Sequence, residues 1–332
     1  MTNEHTISHL VKEDMIQGKI HNTCCKRAFL SGLIRGAGNY YVTSSGFGIN
    51  IQHQSPELIV KSAQMVKQLI SFEPVVKMRK QDREFNPKIV YEMDLPGAKC
   101  FDLLEEAYIS PAPYQLYDGI SPELIESPCC QKSFLQGVFL ASGTISIPQS
   151  TVDVDGSTAS AKGGYYLEFS LGDEKVAEDL LDLLTKLDTE PKMRRRGESF
   201  SVYLKDAEKI SDLCAFLGAM RAVLEIQNTI VMRSIRNDEN RKNNCTSANI
   251  DKTIEASLRQ QSAIELLMKT GILATLDIGL QDTAGARLAY PELSLQELSS
   301  KIPGNPSKSC LNHRMRKLLS LAEEIENNGT NK

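Results

Sequence analysis

No apolar run in this 332-residue chain approaches the length of a membrane span. Its first residues, Met1-Thr2-Asn3-Glu4-His5, also lack the charged start and apolar core of a secretory signal. The expected location is therefore the cytoplasm. Tryptophan is absent, but 41% hydrophobic and 24% charged residues are ordinary for a globular protein, and the length suggests two or three domains. Eight cysteines are present without one Cys-x-x-Cys; four of them form two adjacent pairs, Cys24-Cys25 and Cys129-Cys130. Neighbours on a helix point about 100° apart, so neither pair alone suits zinc. The cysteines read as small, reduced core residues, with no metal and no cofactor expected. A large basic excess is missing too: the net charge is −4, which argues against a protein coated with nucleic acid.

The absence of acid is local. Residues 231–332 carry net +2 and the remainder net −6, and Lys301 to Lys317 holds five cations and no Asp or Glu. That run is an electrostatic footprint inside an acidic protein.

A repeat organises the rest. Cys24-Cys25-Lys26-Arg27-Ala28-Phe29-Leu30-Ser31-Gly32-Leu33-Ile34-Arg35-Gly36-Ala37-Gly38 returns 105 residues later as Cys129-Cys130-Gln131-Lys132-Ser133-Phe134-Leu135-Gln136-Gly137-Val138-Phe139-Leu140-Ala141-Ser142-Gly143, with six identities. Each copy reads as an apolar helix with small residues one turn apart, Gly32 and Gly36 or Gly137 and Ala141. That spacing lets two helix backbones approach, so one copy is expected to pack on the other. The closing Gly38 and Gly143 suit a left-handed helix exit.

Both copies continue in the same order. After Gly38 come strands near 39–43 and 47–51 flanking Ser-Ser-Gly, a helix from Pro56 to Ile70, strands 75–78 and 89–93, and a helix from 98 to 109. After Gly143 come a β region, a Gly/Ser/Asp-rich loop (Asp153–Gly164), a strand at 165–171, a helix at 174–187, strands at 192–195 and 199–204, and a helix at 208–216. This predicts an α+β fold: a duplicated αββαββα unit with pseudo-twofold symmetry, spanning 1–225, with copies at about 20–110 and 125–220. Residues 226–246, with the polar run Arg233–Asn244, read as a linker or exposed arm. An all-α domain, 247–332, follows, with a long helix from Ala248 to Lys269.

Near the C-terminus, Ser294-Leu295-Gln296-Glu297 has capping-box spacing and starts a short helix. Ile302-Pro303-Gly304-Asn305-Pro306 breaks it. Ser307 then caps a long helix with one apolar stripe, Leu311, Met315, Leu318, Leu319, Ala322 and Ile325. With Leu311 at 0° and about 100° per residue, Asn312, Arg316, His313 and Lys317 fall at about 100°, 140°, 200° and 240°. Polar donors on the outer, N-terminal face of a helix after a turn form the geometry that reads a major groove. The expected DNA-binding residues are Ser307, Lys308, Ser309, Asn312, His313, Arg314, Arg316 and Lys317, with Ser307 and Lys308 suited to a phosphate.

The repeated helix resembles the LAGLIDADG motif of homing endonucleases, at Leu30–Gly38 and Leu135–Gly143. The chain as a whole resembles the WhiA family of Gram-positive regulators, in which such a domain is joined to a C-terminal helix-turn-helix. The residues that carry this are the two Cys-Cys-anchored repeats, the series Arg241, Asn244-Cys245, Ala248-Asn249 and Lys252, and Ser307-Lys308-Ser309 with Asn312 to Leu318. The resemblance implies a DNA-binding transcription factor, not an enzyme, tied to cell division, chromosome segregation or sporulation. It further implies double-stranded promoter DNA as partner, association with the nucleoid, and no membrane or small-molecule substrate. RNA polymerase or a partner transcription factor is a further candidate, in a scaffold role that competes with DNA docking.

The endonucleases use a carboxylate at the end of each motif helix to hold divalent metal. Here Ala37 and Ser142 stand at those positions, and no Asp or Glu lies between Cys129 and Val152. The alternative of a metal-dependent endonuclease therefore lacks its catalytic residues. Secondary phosphate contacts are expected at Arg233, Arg236, Arg241 and Lys252, and on the third strand and turn of each copy: Arg79 and Lys80 (with Lys77 and Arg83), and Arg194 and Arg195 (with Lys192 and Arg196).

Overall fold

A computed structural model describes residues 6–44, 46–81, 88–112, 115–148 and 163–329. Arg83 and residues 153–162 of the long loop lie outside that set. The chain divides into two compact units, Met1–Arg233 and Ser234–Lys332.

The first unit opens with α1 (Ile7–Gln17), capped by the Thr6 hydroxyl, which accepts from the His9 amide, and burying Val11 and Met15. Two copies of one motif follow. The first runs α2 (Thr23–Ala37), β1 (Gly38–Thr43), β2 (Gly46–His53), α3 (Pro56–Ile70), β3 (Val76–Gln81), β4 (Lys88–Pro96), α4 (Ala98–Glu106). The second runs α5 (Pro128–Ser142), β5 (Gly143–Ser146), β6 (Tyr166–Leu171), α6 (Glu174–Lys186), β7 (Lys192–Arg196), β8 (Ser199–Leu204), α7 (Ala207–Leu217). Each copy forms a four-stranded sheet of the same order, β1-β2-β4-β3 and β5-β6-β8-β7, with antiparallel neighbours throughout. The duplicated α+β fold expected from the repeat is the one formed.

The two motif helices, α2 and α5, make the junction. Phe29, Leu30, Leu33, Phe134, Leu135 and Val138 are all fully buried there. The glycines explain how close the helices come. A methyl group built on Gly32 would run into the Phe134 carbonyl and lie 2.9 Å from the Val138 amide nitrogen. One built on Gly137 would run into the Phe29 carbonyl and lie 2.8 Å from the Leu33 nitrogen. Equivalent residues meet equivalent residues, so the helices run side by side in the same direction about the pseudo-twofold axis.

The closing glycines correct the expectation of a left-handed exit. Gly38 and Gly143 have φ of −77° and −78° and extended ψ, and each is the first residue of a strand. Their role is space: a Cβ on Gly38 would lie 2.5 Å from the Ile34 carbonyl oxygen, and one on Gly143 2.6 Å from that of Phe139. A side chain there would block the direct passage from helix into sheet.

Residues 226–246, expected as a linker, are helical. They belong to α8 (Met220–Lys269), whose residues to Arg233 fall in the first unit and the rest in the second. The missed signal is that no Gly or Pro occurs anywhere in those fifty residues. The reading as an exposed segment does describe their surface, since almost every side chain from Ser234 to Ala256 is exposed.

In the second unit, α9 (Ile278–Ala289), α10 (Leu295–Ser299) and α11 (Lys308–Gly329) close over the end of α8. Their core is Ile264, Leu267, Leu280, Ala284, Leu298, Ile302, Leu311, Met315, Leu318 and Ala322.

Candidate nucleic-acid interface

The start of α11 is held in place from three sides. Ser294 and Glu297 form the capping box that begins α10, the serine hydroxyl accepting from the Glu297 amide while the glutamate accepts from the Ser294 amide at 2.9 Å. The turn that follows is longer than in most helix-turn-helix motifs, yet it is anchored: Ile302 is buried in the core and the Ser299 hydroxyl donates to the Pro306 carbonyl at 2.7 Å. Gly304 and Asn305 take the left-handed backbone needed to reverse direction, at φ of 81° and 42°. Ser307 then caps α11 by accepting from the Cys310 amide at 3.3 Å.

With the stripe Leu311, Met315 and Leu318 facing inward, Ser307, Lys308, Ser309, Asn312, His313, Arg316 and Lys317 all emerge exposed. The first-turn amides of α11 point along its axis toward the N-terminus, where Ser307 and Lys308 stand. Arg314 differs from the rest. It is half-buried, donates to the Thr283 hydroxyl at 3.3 Å and lies against Gly279 of α9. On the helical wheel it falls at about 300°, beside the apolar stripe. The structure thus joins it to the packing of α9 on α11 rather than to the outer row.

Sequence reasoning missed Arg287, which is 2% exposed and donates to the carbonyl of Leu293 at 2.7 Å, with that of Pro291 at 3.4 Å. It ties the turn before α10 to α9. Its spacing from Leu280, Thr283 and Ala284 was the available signal. Burial pulls its pKa below the usual guanidinium range. Arg287→Met would leave those carbonyls without their donor, and we expect a loss of about 2–4 kcal/mol in the second unit, read by hydrogen exchange on α9 and α11.

The secondary candidates divide by strand alternation. Register puts Lys192, Arg194 and Arg196 of β7 on one sheet face with Glu168, Ser201 and Tyr203. Arg194 donates to the Tyr166 hydroxyl at 2.7 Å, lies 3.8 Å from Glu168 and stacks on Tyr203. Arg195 is on the opposite face, over Phe200 and bonded to the Gly197 carbonyl. In the first copy Arg79 shares the polar face with Glu92, 3.9 Å away, and Asp94, while Lys80 is on the other face. Lys77, opposite Glu92, is on the polar face too, so the described charges of the first sheet's polar face balance, whereas the second sheet's sets Lys192, Arg194 and Arg196 against Glu168 alone and is net basic. On α8, Arg241 is exposed beside Asp238 at 3.7 Å, Lys252 is exposed, Arg236 is half-buried, and Arg233 is half-buried against Tyr165.

At the far ends of α2 and α5 a cleft of ≈ 1120 Å³ is lined by Lys12, Arg35, Ala37, His53, Glu57 and Ala141, among others. Beside it the Ser142 hydroxyl donates back to the Val138 carbonyl at 3.2 Å. The acids that line it are engaged: Glu13 pairs with Arg221 at 3.0 Å and Glu57 accepts from Ser55 at 2.8 Å. Burial depresses the pKa values of Lys12 and Arg35. His53 is pushed down to about 4, mainly by burial and then by the Lys12 charge. Its Nδ1 accepts from the Ser55 amide at 3.0 Å, which fits the neutral ring. The folded pKa is below the ordinary 6.5, so the unfolded chain takes up a proton first as pH falls. The stability this ring contributes is fully present above pH 6.5 and is lost between 6.5 and about 4, by about 3 kcal/mol. Urea unfolding at pH 7 and 4.5 should show this loss, and His53→Gln should reduce it.

Residues 240–322 match the model of the WhiA C-terminal HTH domain, and residues 131–236 that of the WhiA LAGLIDADG-like domain. A "Probable cell division protein WhiA" from Halothermothrix orenii is 30% identical over 318 residues, 95% of this chain and 97% of that one. The chain belongs to the WhiA family. A relative of the same name from Desulforudis audaxviator is 38% identical over 222 residues, 67% of each chain. The crystal structure of full-length DUF199/WhiA from Thermatoga maritima covers 96% of this chain and 98% of its own, with a TM-score of 0.55 at 21% identity, a likeness of fold. The family's LAGLIDADG-like match falls on the second copy alone; the equal strand order of the first copy identifies it as the same unit. The C-terminal unit is a helix-turn-helix domain, a DNA-binding fold.

Proposed function

We propose that this protein is a sequence-specific transcriptional regulator of cell division, chromosome segregation or sporulation, and that it docks promoters with the outer face of α11. The observation that carries this is the exposed row Ser307, Lys308, Ser309, Asn312, Arg316 and Lys317, in a stretch from Lys301 to Lys317 without an acid. Asn312 and Arg316 have the hydrogen-bonding pattern for adenine and guanine edges, and Lys308 and Lys317 supply charge for phosphates. The basic polar face of the second sheet adds a weaker, sequence-independent contact.

The duplicated domain, in this reading, holds DNA or protein without cutting. Divalent-metal catalysis needs anionic oxygen ligands where the two motif helices end. Ala37 and Ser142 stand there, with Lys12 and Arg35 lining the adjoining cleft. Crosslinking the protein to the chromosome and sequencing the bound DNA should return a recurring motif upstream of division genes. Incubating supercoiled DNA carrying that motif with protein and Mg²⁺ should leave it intact; a specific double-strand break would refute the non-enzymatic reading.

A further inference from the structure

The cysteine pairs have a different environment in the fold from the one their sequence suggests. Cys24 and Cys25 begin α2, Cys129 and Cys130 begin α5, and the parallel packing of those helices brings the two beginnings together. The four Sγ atoms all lie within 4.8 Å of one another, those of Cys24 and Cys25 being 4.0 Å apart. Cys25 and Cys130 are buried, while Cys24 and Cys129 are exposed. The spread of adjacent side chains that rules out either pair alone becomes an asset here. Each helix offers one sulfur inward and one outward, and the two helices supply the four corners between them.

We propose that these four cysteines form a tetrathiolate site for a single zinc ion, which clasps the two copies together at the junction. The dimensions agree. A Zn–S bond of about 2.3 Å in a tetrahedron separates the sulfurs by about 3.8 Å, so the cluster needs to contract by no more than about 1 Å. Four thiolates in a tetrahedron select a soft ion such as zinc over magnesium or calcium. The sulfurs are too close together to enclose an iron–sulfur cluster, which needs room for several irons and sulfides. Binding the ion displaces the thiol protons into solvent, and the complex carries two negative charges.

The surroundings suit that charge. The four cysteines sit in the first turns of two helices, near the positive ends of their dipoles, and neither cap residue, Asn22 or Ser127, uses its side chain on the first-turn amides. A cleft of ≈ 470 Å³ leads to Cys25 and Cys129 and is lined also by Lys19, His21 and Lys132. It gives an ion a way in and cations beside the thiolates, with Asp14 as an opposing charge on the same wall.

The test uses the full chain, reduced, stripped of metal and titrated with Co²⁺. One ion per chain should bind, with the near-ultraviolet thiolate-to-cobalt charge-transfer band and the strong visible bands of a tetrahedral site, and Zn²⁺ should erase both. Cys24→Ser with Cys129→Ser, which alters only the exposed sulfurs, should abolish the bands. Cys245→Ser with Cys310→Ser, in the other unit, should leave them unchanged. Absence of the charge-transfer band in the reduced wild type, its survival in C24S/C129S, or recovery of the four cysteines as disulfides under the same conditions would overturn the proposal. If the double variant does not fold, the wild type decides: the melting midpoint of the first unit must rise with added Zn²⁺ in proportion to the logarithm of its concentration. An unchanged midpoint refutes the site.

Discussion

Gly137→Leu is expected to leave the first unit unfolded at room temperature. The substitution puts four carbons where α5 touches the backbone of α2, with the Leu33 nitrogen 2.8 Å and the Phe29 carbonyl carbon 3.1 Å from the first of them. A side chain could rotate aside, but a helix backbone cannot. Even Gly137→Ala must force the helices apart, at about 2–4 kcal/mol, and it reopens a core in which Phe29, Phe134 and Val138 are fully buried. Leucine adds to this a bulk the junction cannot absorb, on the scale of a domain's whole stability of about 5–15 kcal/mol. Gly32→Leu should behave alike, because Gly32 meets the Phe134 carbonyl at the position related to it by the pseudo-twofold axis. The control is Gly285→Ala in α9, where a methyl meets nothing within 4 Å and removing a glycine from a helix should gain about 0.5–1 kcal/mol. Thermal melts followed by circular dichroism separate these cases, and equal midpoints for G137A and wild type would contradict the close-packed junction.

The second large effect concerns DNA. Arg316→Ala should weaken binding to the natural site by about 1–3 kcal/mol and relax discrimination at one base pair, since a guanidinium in the groove reads a base edge. Lys317→Ala should weaken all sequences alike and lower the slope of log affinity against log salt by about 1, as the loss of one phosphate contact requires. Arg314→Ala should act in a third way. Its bond to Thr283 and its contact with Gly279 are internal, so its loss should lower the melting midpoint of the second unit and leave the salt slope unchanged. Anisotropy titrations at several salt concentrations distinguish the three, and a salt slope that falls in R314A but not in K317A would reverse the assignment.

Much of this architecture is legible in the residues because local and global signals coincide. Pro56, the Ser294 capping box and the Ser307 cap start helices where they should, and the repeat announces the duplication before any strand is placed. What is not legible depends on the partner across the fold. Gly38 and Gly143 look like helix stops by composition, yet their reason is the Ile34 and Phe139 carbonyls that crowd them. The polar stretch after Val231 lacks an apolar stripe, the usual sign of a helix, and its continuity shows only in what it omits. Arg314 and Arg316 are two residues apart on one helix and face different worlds, as do Arg194 and Arg195 on one strand. The cysteine cluster is invisible to spacing rules because its halves are 105 residues apart and meet only through the packing of Gly32 on Gly137.

The most direct test of the whole account is the affinity of the full chain for a promoter fragment carrying its recovered motif, against the same fragment with the motif scrambled. At physiological salt the wild type should prefer the motif by about 10³-fold or more. Asn312→Ala combined with Arg316→Ala and Lys317→Ala should bring both fragments to the same weak affinity while the melting midpoints of both units stay in place. A triple variant that still binds the motif fragment as the wild type does would contradict the placement of the reading surface on α11.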